Sequence, residues 1–220
     1  MYGFGFTLIE GLKVTLGLAL CSFSFGLFIG LIIAIAKLSK IKTLRMLASL
    51  YTTVIRGTPE LLILFLIFYG GQVLLSQIMD SYSEVPAFTA GVLGLSAVFG
   101  GYSAETLRSS FLNVDKGSIE SAQSLGLSSL QVLFYIKLPL AWRLALPALG
   151  NLWMVLLKET ALVSIIGLED IMRKTQIAVT NTKKPFTFYL VAAFLYLFLT
   201  FVSEHLLQKW EKSLFRGERI

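Results

Sequence analysis

Long apolar runs, each closed by a basic cluster or a turn, set the rhythm of this chain. Residues 14–36, 61–79, 85–104 and 186–203 carry no charged side chain, and roughly 20 consecutive apolar residues suffice to cross a bilayer as a helix. Residues 46–55 lead straight into Arg56-Gly-Thr-Pro-Glu60, so the pattern predicts one helix over 46–69 with a weak point at Gly57 and Pro59. Residues 144–157 are too short alone. Continued through Lys158-Glu159 to Leu168 they reach spanning length, at the cost of two charges at membrane depth. The pattern therefore predicts an all-α membrane protein with five transmembrane helices in one domain, 1–220. A polar segment of about 112–139 separates the third helix from the fourth.

The first run is longer than a signal-peptide core and has no small-residue cleavage site, so it reads as a retained helix. Lys37, Lys40, Lys42 and Arg45 follow the first helix, and Lys209, Lys212, Arg216 and Arg219 follow the fifth. Such clusters stay on the cytoplasmic side. The expected topology places the N-terminus outside, the C-terminus in the cytoplasm, and the loop carrying Asp80, Ser81 and Glu84 outside. Arg173, Lys174, Lys183 and Lys184 are an exception, partly offset by Glu169 and Asp170.

Composition agrees with hydrocarbon as the solvent. The 220 residues are 55% hydrophobic and 15% charged, too apolar for an ordinary soluble domain. The net charge of +6 is accounted for by inner-leaflet lipids and the positive-inside bias, with no basic stripe for nucleic acid. Cys21 lies in an apolar run as a packing residue, and His205 is the sole histidine. No metal-spaced His/Cys cluster, nucleophile elbow or phosphate loop occurs. The chain is expected to perform no catalysis and to bind no cofactor; any ATP and magnesium would belong to another subunit.

The polar segment reads as a short helix capped by Ser118 with Glu120 in its first turn, a turn at Gly126, and a second helix up to Leu138. Pro139 then marks the entry to the fourth membrane helix, with Trp142 as an interfacial anchor. A surface helix on the inner leaflet and a peg for a cytoplasmic partner both fit this physics. The spacing Glu120-Ser121-Ala122, three residues, Gly126, nine residues, Ile136, one residue, Leu138-Pro139 resembles the EAA loop of permease subunits of ATP-binding-cassette importers. Ser121 stands where that pattern prefers alanine. Arg56-Gly-Thr-Pro59, Tyr102-Ser-Ala-Glu105, Leu146-Pro-Ala-Leu-Gly-Asn151 and Leu157-Lys-Glu-Thr-Ala-Leu-Val-Ser164 resemble the blocks of polar amino-acid permeases, in their usual order.

The resemblance implies a type I importer permease with a cytoplasmic EAA coupling helix, in the bacterial inner membrane. It implies that Glu120, Ser121, Ala122, Gly126, Ile136 and Pro139 couple the chain to a dimer of ATP-binding subunits. Further implied partners are a second permease, either itself or a similar chain, a solute-binding protein and an amino-acid substrate. Glu60 and the run Ala161-Leu-Val-Ser-Ile-Ile-Gly-Leu-Glu-Asp170 look like the histidine and arginine permeases, which implies a basic amino acid, with glutamine or glutamate as the alternative. Two rivals lack support: an ion-driven secondary transporter needs its own coupling carboxylates and usually repeats, and a scaffold has no use for charges at membrane depth.

Four residues are candidates for the substrate path. Arg56 lies eleven residues past Arg45, about 16 Å of helix. Glu60 at i+4 can pair with it and brace the kink, or Arg56 can meet a substrate carboxylate. Glu159 can attract a cationic substrate while Lys158 pairs with a neighbouring acid, or both can snorkel to the interface.

Overall fold

The computed structural model describes residues 3–79 and 84–214, and within them every regular element is helical. Asp80, Ser81, Arg216 and Arg219 lie outside the described residues. Five helical stretches are long and apolar enough to cross a membrane: Gly5–Leu38, Glu60–Ile78, Ala87–Leu112, Ser129–Ile166 and Pro185–Lys212.

Helix α1 (Gly5–Leu38) packs along α4 (Ala87–Leu112) in the largest interface of the fold. Ser22, Gly26, Gly30 and Ala34 recur every fourth residue of α1 and are all buried. A stripe of small residues lets two backbones approach closely where the hydrophobic effect does not drive association. The approach is tight enough that a Cβ on Gly30 would fall on the Ser103 side chain. Across the seam the Ser96 hydroxyl donates to the Ser22 carbonyl at 3.2 Å and the Ser103 hydroxyl to the Gly26 carbonyl at 3.4 Å.

The second span differs from the sequence expectation. Helix α2 (Lys42–Gly57) ends at Thr58, whose backbone is extended (φ −108, ψ 137), and α3 (Glu60–Met79) starts afresh. Residues 46–69 are thus two helices, and α3 is the spanning one. Pro59 offers no backbone N–H and forces its predecessor out of the helical region. Helix α2 lies against α1 and α4, with Ala48 and Thr52 buried.

Between α4 and the fourth span lies α5 (Lys116–Ser124), and the span itself opens with α6 (Ser129–Val132). The helix expected to close at Leu138 does not close. Helix α6 runs through a π turn at Leu133–Lys137 into α7 (Leu138–Glu159), so the span is continuous from Ser129 rather than restarting after Pro139. The π turn comes just before Pro139, and a locally widened helix absorbs the missing N–H. After Glu159 the helix tightens to 3-10 geometry over Thr160–Ile166 and stops at Gly167 (φ 96).

Helix α8 (Ile171–Thr182) is capped by Asp170, whose Oδ1 accepts from the Arg173 N–H at 2.8 Å, and α9 (Pro185–Leu214) is the last helix among the described residues. Leu18, Leu64, Leu95, Phe99, Leu156 and Val163 form the central core between α1, α3, α4 and α7.

Candidate functional site

The polar segment folds into a compact hairpin. Its first helix is capped by Asp115, not Ser118: the Asp115 carboxylate accepts from the Ser118 N–H at 2.7 Å and from its hydroxyl at 3.0 Å. Aspartate is the stronger cap here because its carboxylate takes both bonds, which also hold its pKa below the usual range. The helix ends in a Schellman arrangement, with Gly126 N–H on the Gln123 carbonyl at 2.9 Å and Leu127 N–H on the Ala122 carbonyl at 3.2 Å. That motif needs a left-handed residue, and Gly126 sits at φ +84. Ser128 and Gln131 then form a capping box that starts the returning helix.

The expected coupling residues divide by position. Glu120, Ser121, Gly126 and Pro139 are exposed, Ile136 is half-buried, and Ala122 is buried at 6% inside the hairpin. Ala122 is therefore a packing residue and offers no contact surface. The sequence reading missed the apolar side chains displayed on the same hairpin: Leu125 is 82% exposed, and Leu130, Phe134 and Tyr135 are also exposed. Leucine and phenylalanine beside polar neighbours in a segment outside the apolar runs were the available signal.

The candidate path residues gather where two helices are interrupted. Arg56, near the end of α2, lies over the Tyr102 ring at 5.5 Å, a cation–π geometry. It makes no ion pair with Glu60 among the described residues. The extended residue Thr58 separates them, so they no longer stand one helical turn apart. Glu60 instead opens α3 and lies close enough to Glu159 for the two carboxylates to interact electrostatically. Glu159 is the last residue of α7, at the switch to 3-10 geometry, and half-buried; Lys158 points into exposed space with no ion pair to Glu159. Nothing in the spacing of residues 60 and 159 foretold their encounter.

A second polar cluster ties α1, α2 and α4 together. Glu105 accepts from Lys37, from the Thr52 hydroxyl at 3.1 Å and from Arg108 Nε at 3.0 Å. Glu105 closes the Tyr102-Ser-Ala-Glu105 block, yet two of its three partners, Lys37 and Thr52, lie on other helices. No group of three or more His, Cys, Asp or Glu with metal-binding geometry occurs among the described residues.

Residues 26–215 match the family described as the binding-protein-dependent transport system inner membrane component. The chain belongs to that family. This inner-membrane component is similar to the nopaline transport system permease protein NocQ of Agrobacterium fabrum, 44% identical over 99% of this chain and 94% of that one. It is 40% identical to the arginine ABC transporter permease protein ArtQ of Haemophilus influenzae, over 94% of this chain and 92% of that one. It is 41% identical to the histidine/lysine/arginine/ornithine permease HisQ of Salmonella typhimurium, over 96% and 95%. Its fold superposes on a crystal structure of an amino acid ABC transporter with histidines at a TM-score of 0.85, with 39% identity and 94% of each chain covered. A chain of the inward-facing methionine transporter MetNI, only 17% identical, shares the fold at a TM-score of 0.74.

Proposed function

We propose that this chain is the permease subunit of an ATP-driven importer of basic amino acids, and that Glu60 and Glu159 face the cationic end of the substrate in its path. The observation that carries this reading is the packing of α3, which Glu60 opens, against the 3-10 turn that follows Glu159, so that a carboxylate stands at each of two helix interruptions. Like charges held near each other at membrane depth are costly, and a cation between them relieves the cost. Arg56, exposed beside Tyr102, is placed to take the substrate carboxylate. Relatives named for arginine, histidine, lysine, ornithine, nopaline and octopine support this substrate class over glutamine or glutamate.

The hairpin supplies the mechanical half of the reading. Leu125, Leu130 and Phe134 form an apolar ridge that a groove on an ATP-binding subunit would cover, with Glu120 and Ser121 at its polar edge. Helix α6, the π turn and α7 are one continuous rod from this ridge to Glu159. Displacement of the hairpin on closure of the ATPases is thereby transmitted to Glu159 in the substrate path. ATP and magnesium are bound by that partner, and two permease chains enclose the path. The hairpin and the C-terminus lie in the cytoplasm, and the N-terminus and α8 lie outside, where a solute-binding protein delivers the substrate. The Lys174–Glu169 ion pair at 2.6 Å offsets part of the basic charge assigned to the outside.

Reconstitution of the permeases with their ATPase and binding protein in proteoliposomes tests the reading. ATP-dependent uptake of labelled arginine or histidine is expected. Uptake without ATP, or ATP-driven uptake of glutamine alone, overturns it. A cysteine at Ser118 is expected to react with an impermeant reagent only after the membrane is opened.

A further inference from the structure

The hairpin meets the membrane helices at a second point besides the rod of α6, the π turn and α7. Lys137 closes the π turn, and its Nζ stands 4.1 Å from the centroid of the Phe111 ring on the last turn of α4. That is well inside the roughly 6 Å over which a ring face attracts a cation, and both side chains are half-buried, where the attraction exceeds that of an exposed pair. The π turn decides where the lysine points. On an α-helix Phe134 and Lys137, three residues apart, would be neighbours on one face. A π turn rotates less per residue, so the two diverge: Phe134 stays exposed on the outer ridge and Lys137 reaches α4.

The backbone offers α4 no comparable link to the hairpin. Helix α4 ends at Leu112, and residues 113–115 are non-helical before α5 begins at Lys116, so a pull along the chain reaches α4 through a bend. Lys137 and Phe111 bridge that bend. Helix α4 also carries Tyr102, nine residues before Phe111 and about 14 Å away along the helix, and Arg56 lies over its ring. Given the importer reading above, with the hairpin as its docking site, we propose that Lys137 is a positioning residue for transport. Through Phe111 it moves α4 with the hairpin, so that the Arg56–Tyr102 end of the path shifts in step with the Glu159 end. An amino acid gripped at both ends is handed on when both grips change, and α7 carries only the one at Glu159.

Uptake of labelled arginine and ATP hydrolysis, measured together in proteoliposomes of the complete transporter with its binding protein, test this strut. Lys137→Met keeps the apolar stem and removes the charge; Phe111→Leu keeps an apolar side chain and removes the ring. Both are expected to retain the ATPase on purification and to hydrolyse ATP while uptake falls several-fold, so more ATP is consumed per arginine imported. Lys137→Arg, whose guanidinium also sits over a ring, should restore the unaltered ratio, and the double variant should lose no more than either single one. A contact that only stabilises the fold would lower the melting temperature and the protein yield but leave that ratio as it was. An unchanged ratio in Lys137→Met, or one as poor in Lys137→Arg as in Lys137→Met, overturns the proposal. So do losses that add in the double variant, or loss of the ATPase from Lys137→Met, which would make the lysine part of the docking surface. Should Phe111→Leu not assemble, the two lysine variants decide by themselves. Failure of the underlying reading shows elsewhere: in the unaltered chain as no ATP-driven uptake of arginine, or in Gly126→Asp as an ATPase that stays bound.

Discussion

Lys37 of α1 donates to the carboxylate of Glu105 on α4, and Thr52 of α2 bonds to both at 2.8 and 3.1 Å. The Lys37 side chain is only 10% exposed, so this single carboxylate fixes the junction of three helices and neutralises a charge that water barely reaches.

Removing the acid alone should therefore be far worse than removing both charges. Glu105→Ala leaves Lys37 buried and unpaired, a change expected to cost roughly 3–5 kcal/mol, whereas an apolar replacement of both partners is often close to neutral. Thermal unfolding in detergent should show a large loss for Glu105→Ala and recovery of most of it in Lys37→Met/Glu105→Leu. Equal losses in the two would mean that the pair does not brace the junction.

Gly126 separates folding from coupling. A side chain there meets no atom of this chain within 4 Å, but φ +84 makes any L-residue strained, by about 1–2 kcal/mol. Gly126→Asp should still insert into the membrane, while its charge at the apolar ridge of Leu125 weakens the hold on the ATPase. Co-purification of the ATPase and ATP-driven uptake should both drop. Wild-type values of both would remove the hairpin as the docking site.

Asp170 gives a pH dependence with a definite sign. Burial pushes its carboxyl up to about 6 from an ordinary 3.8, against the pull of the Arg173 and Met172 backbone N–H groups. A group with a raised folded-state pKa binds its proton more tightly when folded, so its stabilisation is complete below pH 3.8 and is lost as pH rises to about 6. The change is at most roughly 3 kcal/mol. Asp170→Asn, which keeps a capping oxygen for Arg173, should flatten the melting temperature between pH 4 and 7 and raise it at pH 7. An unchanged slope would mean that Asp170 does not titrate in this window.

The parts of the fold legible in the sequence were those written in local pattern. Uncharged runs marked the spans, and the turn at Gly126 was visible because a left-handed helix end selects glycine. Misread boundaries arose where two local rules competed. At Pro59 the proline ended a helix that hydrophobicity alone would have continued, while at Pro139 a π turn let the helix continue where the proline alone would have ended it. The cap moved from Ser118 to Asp115 because side-chain geometry, not residue class, decides between two good caps three positions apart. The meeting of Glu60 with Glu159, and of Lys37 with Glu105, depends on how α1, α3, α4 and α7 pack, which one chain's periodicity does not encode.

The Glu60–Glu159 pair makes a prediction in which stability and transport move in opposite directions. Glu159 is a half-buried carboxylate at membrane depth with a second acid, Glu60, acting on it, so Glu159→Gln, which removes a charge that is costly to bury, should raise the melting temperature of the permease without substrate. A cation between them would gain a charge-assisted hydrogen bond from each. Loss of one, worth about 1–3 kcal/mol, should weaken recognition of arginine roughly five- to hundredfold. Glu60→Gln should act the same way, and the double variant should lose less than the sum of the singles, because a cation held by both acids couples them. Lys158→Gln serves as the control, since Lys158 makes no ion pair with Glu159. Concentration-dependent uptake in proteoliposomes at matched protein levels, read beside melting curves, gives both signs at once. A stabilised protein with unchanged half-saturation and rate would leave the carboxylates as a structural strain and take them out of the substrate path.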